Sequence, residues 1–238
     1  MLLTGGTGRL GQELQRLLPG LIAPTREEMD ITQPEAVDAA FRRYRPEVVV
    51  HAAAYTKVDR AEVERELCWR VNVVGTRHLV RASQRWGAFF IHISTDYVFE
   101  GTQGMYAEED TPGPVRNYYA LTKLVAEEAV RALPAHLVIR TSFRTRPWPY
   151  PVAFTDMYTS QDYLDLIAPE IALAVQRYRD IPYDTLHIAT ERKSVYELAR
   201  QSRPDVRPAS RREAPIALPE DVSLDTRRWQ ELKRRWLK

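Results

Sequence analysis

The sequence predicts an α/β fold, a doubly wound parallel sheet followed by a smaller C-terminal substrate lobe. Three observations predict it. Short apolar β-type runs alternate with helical periodicity through the first two thirds of the chain. A glycine-rich turn follows the first of these runs at once. After residue 142, Pro147, Pro149 and Pro151 interrupt the alternation.

The elements follow in order. Residues 1–4 are a short first strand. A helix follows with Leu10, Leu14, Leu17 and Leu18 on one face and stops near Pro19-Gly20. Residues 21–23 are a second strand. Residues 34–45 are helical, with Val37, Phe41 and Tyr44 on one side. Residues 48–53 are a third strand, too apolar to be half exposed. Helical signal runs through 62–86, and AFFIHIS (88–94) is a fourth strand. A helix over 118–133 and a fifth strand over 137–141 complete the first domain, residues 1–142. The second part, residues 143–238, is a reduced lobe with segments that return to the main sheet. It holds a helix over 163–179 despite Pro169, a strand over 185–189, a helix over 194–201, a proline-rich connector over 203–219 and a basic helix over 225–237.

Composition narrows the function. The chain has 238 residues, 44% hydrophobic and 28% charged, with a formal net charge of +2. Such a balance draws it to neither nucleic acid nor a membrane surface. No apolar run approaches the ~20 residues of a spanning helix, and the N-terminus does not read as a signal peptide. The lone Cys68 excludes a disulfide framework and fits a reducing, cytoplasmic location. His51, His78, His92, His136 and His187 are scattered, so no metal site is expected.

The turn TGGTGRLG sets Gly5, Gly8 and Gly11 three residues apart between strand and helix. A tight turn needs residues without a Cβ, and a pyrophosphate needs bare backbone N–H groups at a helix start. Gly5, Thr7, Gly8, Arg9, Leu10 and Gly11 are therefore candidate cofactor contacts. Beyond the second strand, Arg26 precedes any acid. An Arg there accommodates a 2′-phosphate, so NADP(H) is favoured and NAD(H) is the second choice. The other reading leaves Arg26 solvated and gives the ribose to Glu27 or Glu28.

Tyr119 and Lys123 form Y-x-x-x-K on one helix face. A nearby ammonium is expected to lower a phenol's pKa towards neutral and prepare it for proton exchange with a carbonyl or alcohol. Thr95 lies at the carboxyl end of the fourth strand, where doubly wound folds bind ligands. Its hydroxyl can orient a substrate carbonyl, or it can cap a turn.

TGGTGRLGQEL, RPEVVVHAAAYTKVDRAE, HISTDYVFEGT and the run from Tyr119 to IRTSF resemble the dTDP-4-dehydrorhamnose reductase branch of the extended short-chain dehydrogenases/reductases. The resemblance covers residues 1–143 and implies a Rossmann domain with Thr95, Tyr119 and Lys123 as the catalytic set. It implies cofactor contacts from Asp30, Ile31, Ala52, Ala53, Ala54, Tyr55 and Asn72, and a ribose bond from Lys123. Substrate contacts are expected from Tyr97, Val98 and Phe99. It implies a nucleotide-sugar substrate, and pairing of copies as a homodimer. His51 stands where an Asn is more usual. Downstream, RTSF runs directly into a proline-rich stretch, and the substrate region is short. There Arg144 and Trp148 suit phosphate and base contact, or belong to a solvated loop.

The expected activity is NAD(P)H-dependent reduction of a keto-sugar nucleotide. Two other readings stay open: a sugar-nucleotide epimerase, and a catalytically silent NADP-binding partner subunit. The basic C-terminal helix carries Trp229, Leu232 and Trp236 as an apolar stripe, which suits docking on the protein body better than nucleic-acid binding.

Overall fold

The computed structural model describes residues 1–214 and 218–236. Five parallel strands form the central sheet in the spatial order β1 (Leu2–Thr4), β2 (Val48–His51), β3 (Phe89–Thr95), β4 (His136–Thr141) and β9 (Thr185–His187). The expected strand over residues 21–23 shrinks to a single bridge, Ile22 to Leu2, on the outer side of β1. Pro19-Gly20 before it and Pro24 after it leave too few residues to pair further. The chain leaves β1 for the Ile22 bridge on its outer side and then returns to β2 on its other side, so its direction across the sheet reverses at β1, and ligands of doubly wound folds sit in the crevice at such a point.

The period of two along each strand sorts the core into two layers. Val48, Val50, Ile91, Ile93, Leu137 and Ile139 face α1 (Arg9–Leu17), α7 (Leu164–Gln176) and α9 (Arg227–Trp236). Val49, Phe90 and Val138 face α2 (Pro34–Tyr44), α5 (Thr76–Trp86) and α6 (Tyr118–Arg131). Trp229 and Leu232 of α9 sit in the first layer, so the basic C-terminal helix docks by its apolar stripe. The end of the basic helix predicted over 225–237, and residues 215–217 of the predicted connector, lie outside the described residues.

The helical stretch expected over 62–86 is broken. Between β2 and it lies α3 (Val58–Ala61); then come α4 (Arg65–Trp69), a π-helical turn at Arg70–Gly75, and α5. Wide turns of this kind tend to mark functional positions, and this one carries Asn72.

Beyond β4 the smaller lobe is assembled from short pairs. β5 (Phe143–Arg144) pairs with β8 (Asp162–Tyr163), β6 (Val152–Phe154) with β11 (Arg207–Ala209), and β7 (Tyr158–Thr159) with β10 (Lys193–Ser194). With α8 (Val195–Arg200), they enclose a core of Trp148, Ala153, Tyr163, Val195, Leu198, Ala199 and Val206. Meanwhile α7, β9 and α9 build onto the main sheet. Among the described residues no helix is long and apolar enough to cross a membrane.

Candidate active site

The glycine turn after β1 is shaped by close approach. Gly5 has φ +76, and a Cβ there would sit 2.6 Å from the Ala53 nitrogen. A Cβ on Gly11 would fall 2.1 Å from the Gly5 carbonyl oxygen. Both positions exclude side chains for reasons internal to the fold. Gly8 differs: its φ is ordinary, and its Cβ would meet only the Gly5 oxygen, at 3.2 Å. Thr7, Gly8 and Arg9 are exposed. The first N–H groups of α1, those of Arg9, Leu10 and Gly11, have no intrahelical acceptor. Bare N–H groups at an exposed helix start suit a pyrophosphate by chemistry.

Around the crevice, Ala52, Ala53, Ala54 and Tyr55 are half-buried beside the turn. His51 is wholly buried and ties three elements together: its Nδ1 meets Thr4 Oγ1 at 2.7 Å and its Nε2 meets Thr76 Oγ1 at 2.9 Å. The Thr76 hydroxyl already donates to the Asn72 carbonyl (2.6 Å), so His51 Nε2 carries the proton. Burial pushes the His51 imidazole down to about 3, so it is neutral. On the other side of the turn, Arg26 is exposed and lies 3.5 Å from the Asp30 carboxylate. Asp30 accepts from the Thr32 amide and hydroxyl. Glu28 accepts the Thr25 amide at 2.8 Å and is occupied in its own turn. Ile31 is buried against Gly75, and only its backbone carbonyl meets a polar partner, His78.

The helix α6 brings the chemistry-bearing groups to the crevice. Its N-terminus is capped twice: Asn117 Oδ1 accepts the Ala120 amide (2.8 Å) and Glu62 Oε1 accepts the Tyr118 amide (2.6 Å). Asn72 then locks α6 to the β2–α3 loop. Its Oδ1 accepts the Tyr55 amide (2.7 Å), and its Nδ2 donates to the Tyr55 carbonyl (3.1 Å) and to Thr122 Oγ1 (2.9 Å).

Thr95 ends β3, and Tyr119 and Lys123 lie near the start of α6; all three are largely buried. The Thr95 hydroxyl donates to Asp96 (3.0 Å) and accepts the Tyr97 amide (3.2 Å), so it caps the turn that follows β3. The expected depression of the Tyr119 pKa is not what the structure gives. Burial raises it, and the Asp96 carboxylate raises it further. Lys123 does not offset this. Its ammonium is turned onto the Ile93 carbonyl (2.8 Å) and His92 Nε2 (3.2 Å). Burial also pushes Lys123 itself down to about 8. Tyr119 is therefore a protonated phenol at neutral pH.

Three expected substrate residues change role. Val98 and Phe99 are packed in a cluster with Tyr106, Ala189 and Leu224, and Phe99 stacks on Tyr106. Their side chains leave the crevice because the short 3-10 turn after Thr95 rotates them into the body. Tyr97 stays, edge-on to Tyr119 with ring centroids 6.5 Å apart. Trp148 is 4% exposed and belongs to the small-lobe core, with its indole N–H on the Val152 carbonyl. Arg144 stacks over it at 4.9 Å and donates to Gln161, which in turn donates to Ser142.

Sequence reasoning missed Asp96, Ser142, Gln161 and His92. Asp96 is buried, accepts the Thr95 hydroxyl (3.0 Å), and is pushed up to about 6 by that burial. Its place directly after Thr95 was the available signal. Ser142 and Gln161 are far apart in sequence and gave none. A concavity of about 750 Å³, lined by Tyr44, Arg45, Arg177, Tyr178 and Arg179, opens at the opposite end of the sheet. None of the chemistry-bearing groups above lies there. Among the described residues no group of three His, Cys, Asp or Glu side chains is placed to hold a metal ion.

A glycine turn after β1 at the topological switch point of a parallel sheet places this fold in the class of doubly wound, Rossmann-like α/β proteins. Residues 1–145 match the RmlD substrate binding domain. The chain belongs to that family. It is 41% identical over 152 residues to the dTDP-4-dehydrorhamnose reductase of Salmonella typhimurium, an alignment covering 60% of this chain and 50% of that one. The matched part thus spans about half the length of this curated relative. Among solved structures, a dTDP-4-dehydrorhamnose reductase from Clostridium acetobutylicum superposes with a TM-score of 0.84 at 27% identity, over 99% of this chain and 97% of that one. The Bacillus anthracis enzyme, solved in complex with NADP, gives 0.83 at 26% identity, over 99% and 98%.

Proposed function

We propose that this protein is an NADPH-dependent reductase of a keto-sugar nucleotide, with dTDP-4-dehydro-L-rhamnose as the first substrate to test. The observation that carries the reading is the placement of buried Thr95 at the carboxyl end of β3 and of buried Tyr119 and Lys123 one turn apart on α6, in a fold whose first strand runs into a bare glycine turn. A bound nicotinamide would supply hydride to the carbonyl carbon. Tyr119 donates its proton to the carbonyl oxygen as negative charge grows there. Thr95 orients that oxygen, and Lys123 has an N–H free for the cofactor ribose. Arg26 is the group suited to a 2′-phosphate; of the two acids that would read the ribose instead, Glu28 is occupied by the Thr25 amide, and Glu27 is the one left to compete. The family match supports the sugar nucleotide, and Arg144 on its indole platform is the cation suited to the diphosphate.

The assembled site favours an enzyme over a silent partner subunit, because a scaffold has no use for a buried lysine and a raised buried aspartate at one cleft. The resemblance supports a homodimer, which sedimentation would test. The buried, unpaired Cys68 suits the reducing cytoplasm.

The direct experiment follows NADPH oxidation with dTDP-4-dehydro-L-rhamnose. Tyr119→Phe is expected to keep NADPH affinity and lose about 100-fold in turnover. Undiminished turnover in that variant refutes the proton-donor role. NADH binding tighter than NADPH refutes the role of Arg26. Interconversion of sugar-nucleotide epimers without net oxidation of cofactor would favour an epimerase.

A further inference from the structure

Lys123 is gripped from beneath by the central sheet. Two of its three N–H donors go to β3, one to the Ile93 carbonyl at 2.8 Å and one to His92 Nε2 at 3.2 Å. His92 is completely buried. An imidazole nitrogen facing an ammonium must offer its lone pair, so the ring proton is on Nδ1. That Nδ1 has no hydrogen-bond partner. A buried donor left unsatisfied is a cost, and an apolar residue at this strand position would avoid it. Behind His92, at 5.2 Å between ring centroids, lies neutral His51, whose nitrogens are both engaged by Thr4 and Thr76. The ring therefore has one polar contact, and that contact is the lysine.

We propose that His92 is the positioning residue for Lys123: a neutral acceptor built into the sheet that fixes the ammonium at the crevice and favours its charged form. The assigned use of that ammonium, holding the cofactor ribose, rests on the function proposed above; the His92–Lys123 coupling does not. The other ionisable groups facing Lys123 are few. Glu127, one turn along α6, favours the ammonium but is already bound by Arg140 of β4 and by Ser94 of β3. The Cys68 thiol approaches from α4. His51 stands behind on β2, neutral. Burial pushes Lys123 down and His92 well below the usual imidazole range, so across the working pH the lysine can titrate while the imidazole stays an acceptor.

The chain has only five lysines, Lys57, Lys123, Lys193, Lys233 and Lys238. Lysine labelled with 13C at Cε therefore gives five resonances in the full protein, and Lys123→Met assigns one of them. In the parent, Lys123 is expected to titrate near pH 8. In His92→Phe the midpoint should fall by about one pH unit, because the charged form loses an acceptor. His92→Gln, whose amide oxygen reaches the place of Nε2, should restore it. His92→Asn is too short to reach and should behave like His92→Phe, which keeps the test alive if the Phe variant does not fold. A Lys123 midpoint unchanged in the Phe or Asn variant, or equally lowered in the Gln variant, overturns the proposal. NADPH turnover is read separately: the basic limb of its kcat/KM profile should move with the lysine midpoint. If no turnover is seen in the parent while the midpoint still responds to His92, the reductase reading fails and the coupling stands.

Discussion

At the residue scale the site is built from groups that cost stability. Lys123 has its folded pKa depressed from 10.5 to about 8 by burial. The neutral amine is therefore the form the fold prefers. Stability from this residue is fully present above pH 10.5 and is lost as pH falls through 8. Asp96 is the mirror case, raised from 3.8 to about 6. Its contribution is fully present below pH 3.8 and is lost as pH rises through 6. At neutral pH both groups are charged and both are burdens. Lys123→Met is expected to stabilise the protein by about 1–3 kcal/mol at pH 7, less near pH 10, while abolishing turnover. Urea unfolding at the two pH values measures this, and a destabilised variant would show that the Ile93 and His92 contacts outweigh the cost of burial. Asp96→Asn should stabilise likewise at pH 7.5, with the gain shrinking below pH 6.

At the scale of elements, the strand–turn–helix of β1 and α1 separates two kinds of glycine. Gly11→Ala drives a Cβ into the Gly5 carbonyl, backbone against backbone. It should cost about 1–3 kcal/mol or more, as overpacking does, and lose NADPH binding through misfolding of the turn. Gly8→Ala brings its Cβ only to 3.2 Å from the same Gly5 oxygen, a tight contact relieved by a shift of a few tenths of an ångström. It should leave stability within about 0.5 kcal/mol and still weaken NADPH by about tenfold or more, because its methyl group occupies the pyrophosphate's approach. Thermal melts and cofactor titration on this pair read fold and function apart. If Gly8→Ala binds NADPH normally, the cradle is not where the pyrophosphate lies. The helix α6 is a second such device. Glu62 holds its first amide, and Glu62→Ala should cost about 1 kcal/mol, the usual worth of a cap, with a fall in turnover through displacement of Tyr119.

For the molecule as a whole, three buried imidazoles set its response to acid. His51 and His187 are pushed down to about 3 and His92 well below 6.5, each chiefly by burial. They are neutral in the fold and protonate readily once unfolded. Stability is therefore lost as pH falls from 6.5 towards 3. Asp96 opposes this between pH 6 and 3.8, but it is one group against three. Between pH 7 and 5 the free energy of unfolding should fall by about 2–5 kcal/mol, checked by urea titration at each pH. A flat profile would mean that these rings reach water in the native state. The buried Arg140–Glu127 pair, bonded through two nitrogens and joined by Ser94, clamps β3, β4 and α6 together at the centre of the sheet. Glu127→Leu should cost about 3–5 kcal/mol by stranding the arginine.

The sequence by itself determined the layered fold and the glycine-rich turn, and together with the family resemblance it pointed to Thr95, Tyr119 and Lys123 as the set to test. These depend on periodicity, turn sterics and spacing along one helix, all local properties of the chain. Only the tertiary structure decided that Lys123 turns onto Ile93 and His92 and that burial raises the Tyr119 phenol instead of the lysine lowering it. It also decided that Val98, Phe99 and Trp148 are core residues, that Asp96 joins the site, and that residues 21–23 form only a bridge. Each of these turns on which distant element supplies the neighbouring atoms. Burial and hydrogen-bond geometry between residues far apart in the chain have no signature in the order of the residues themselves.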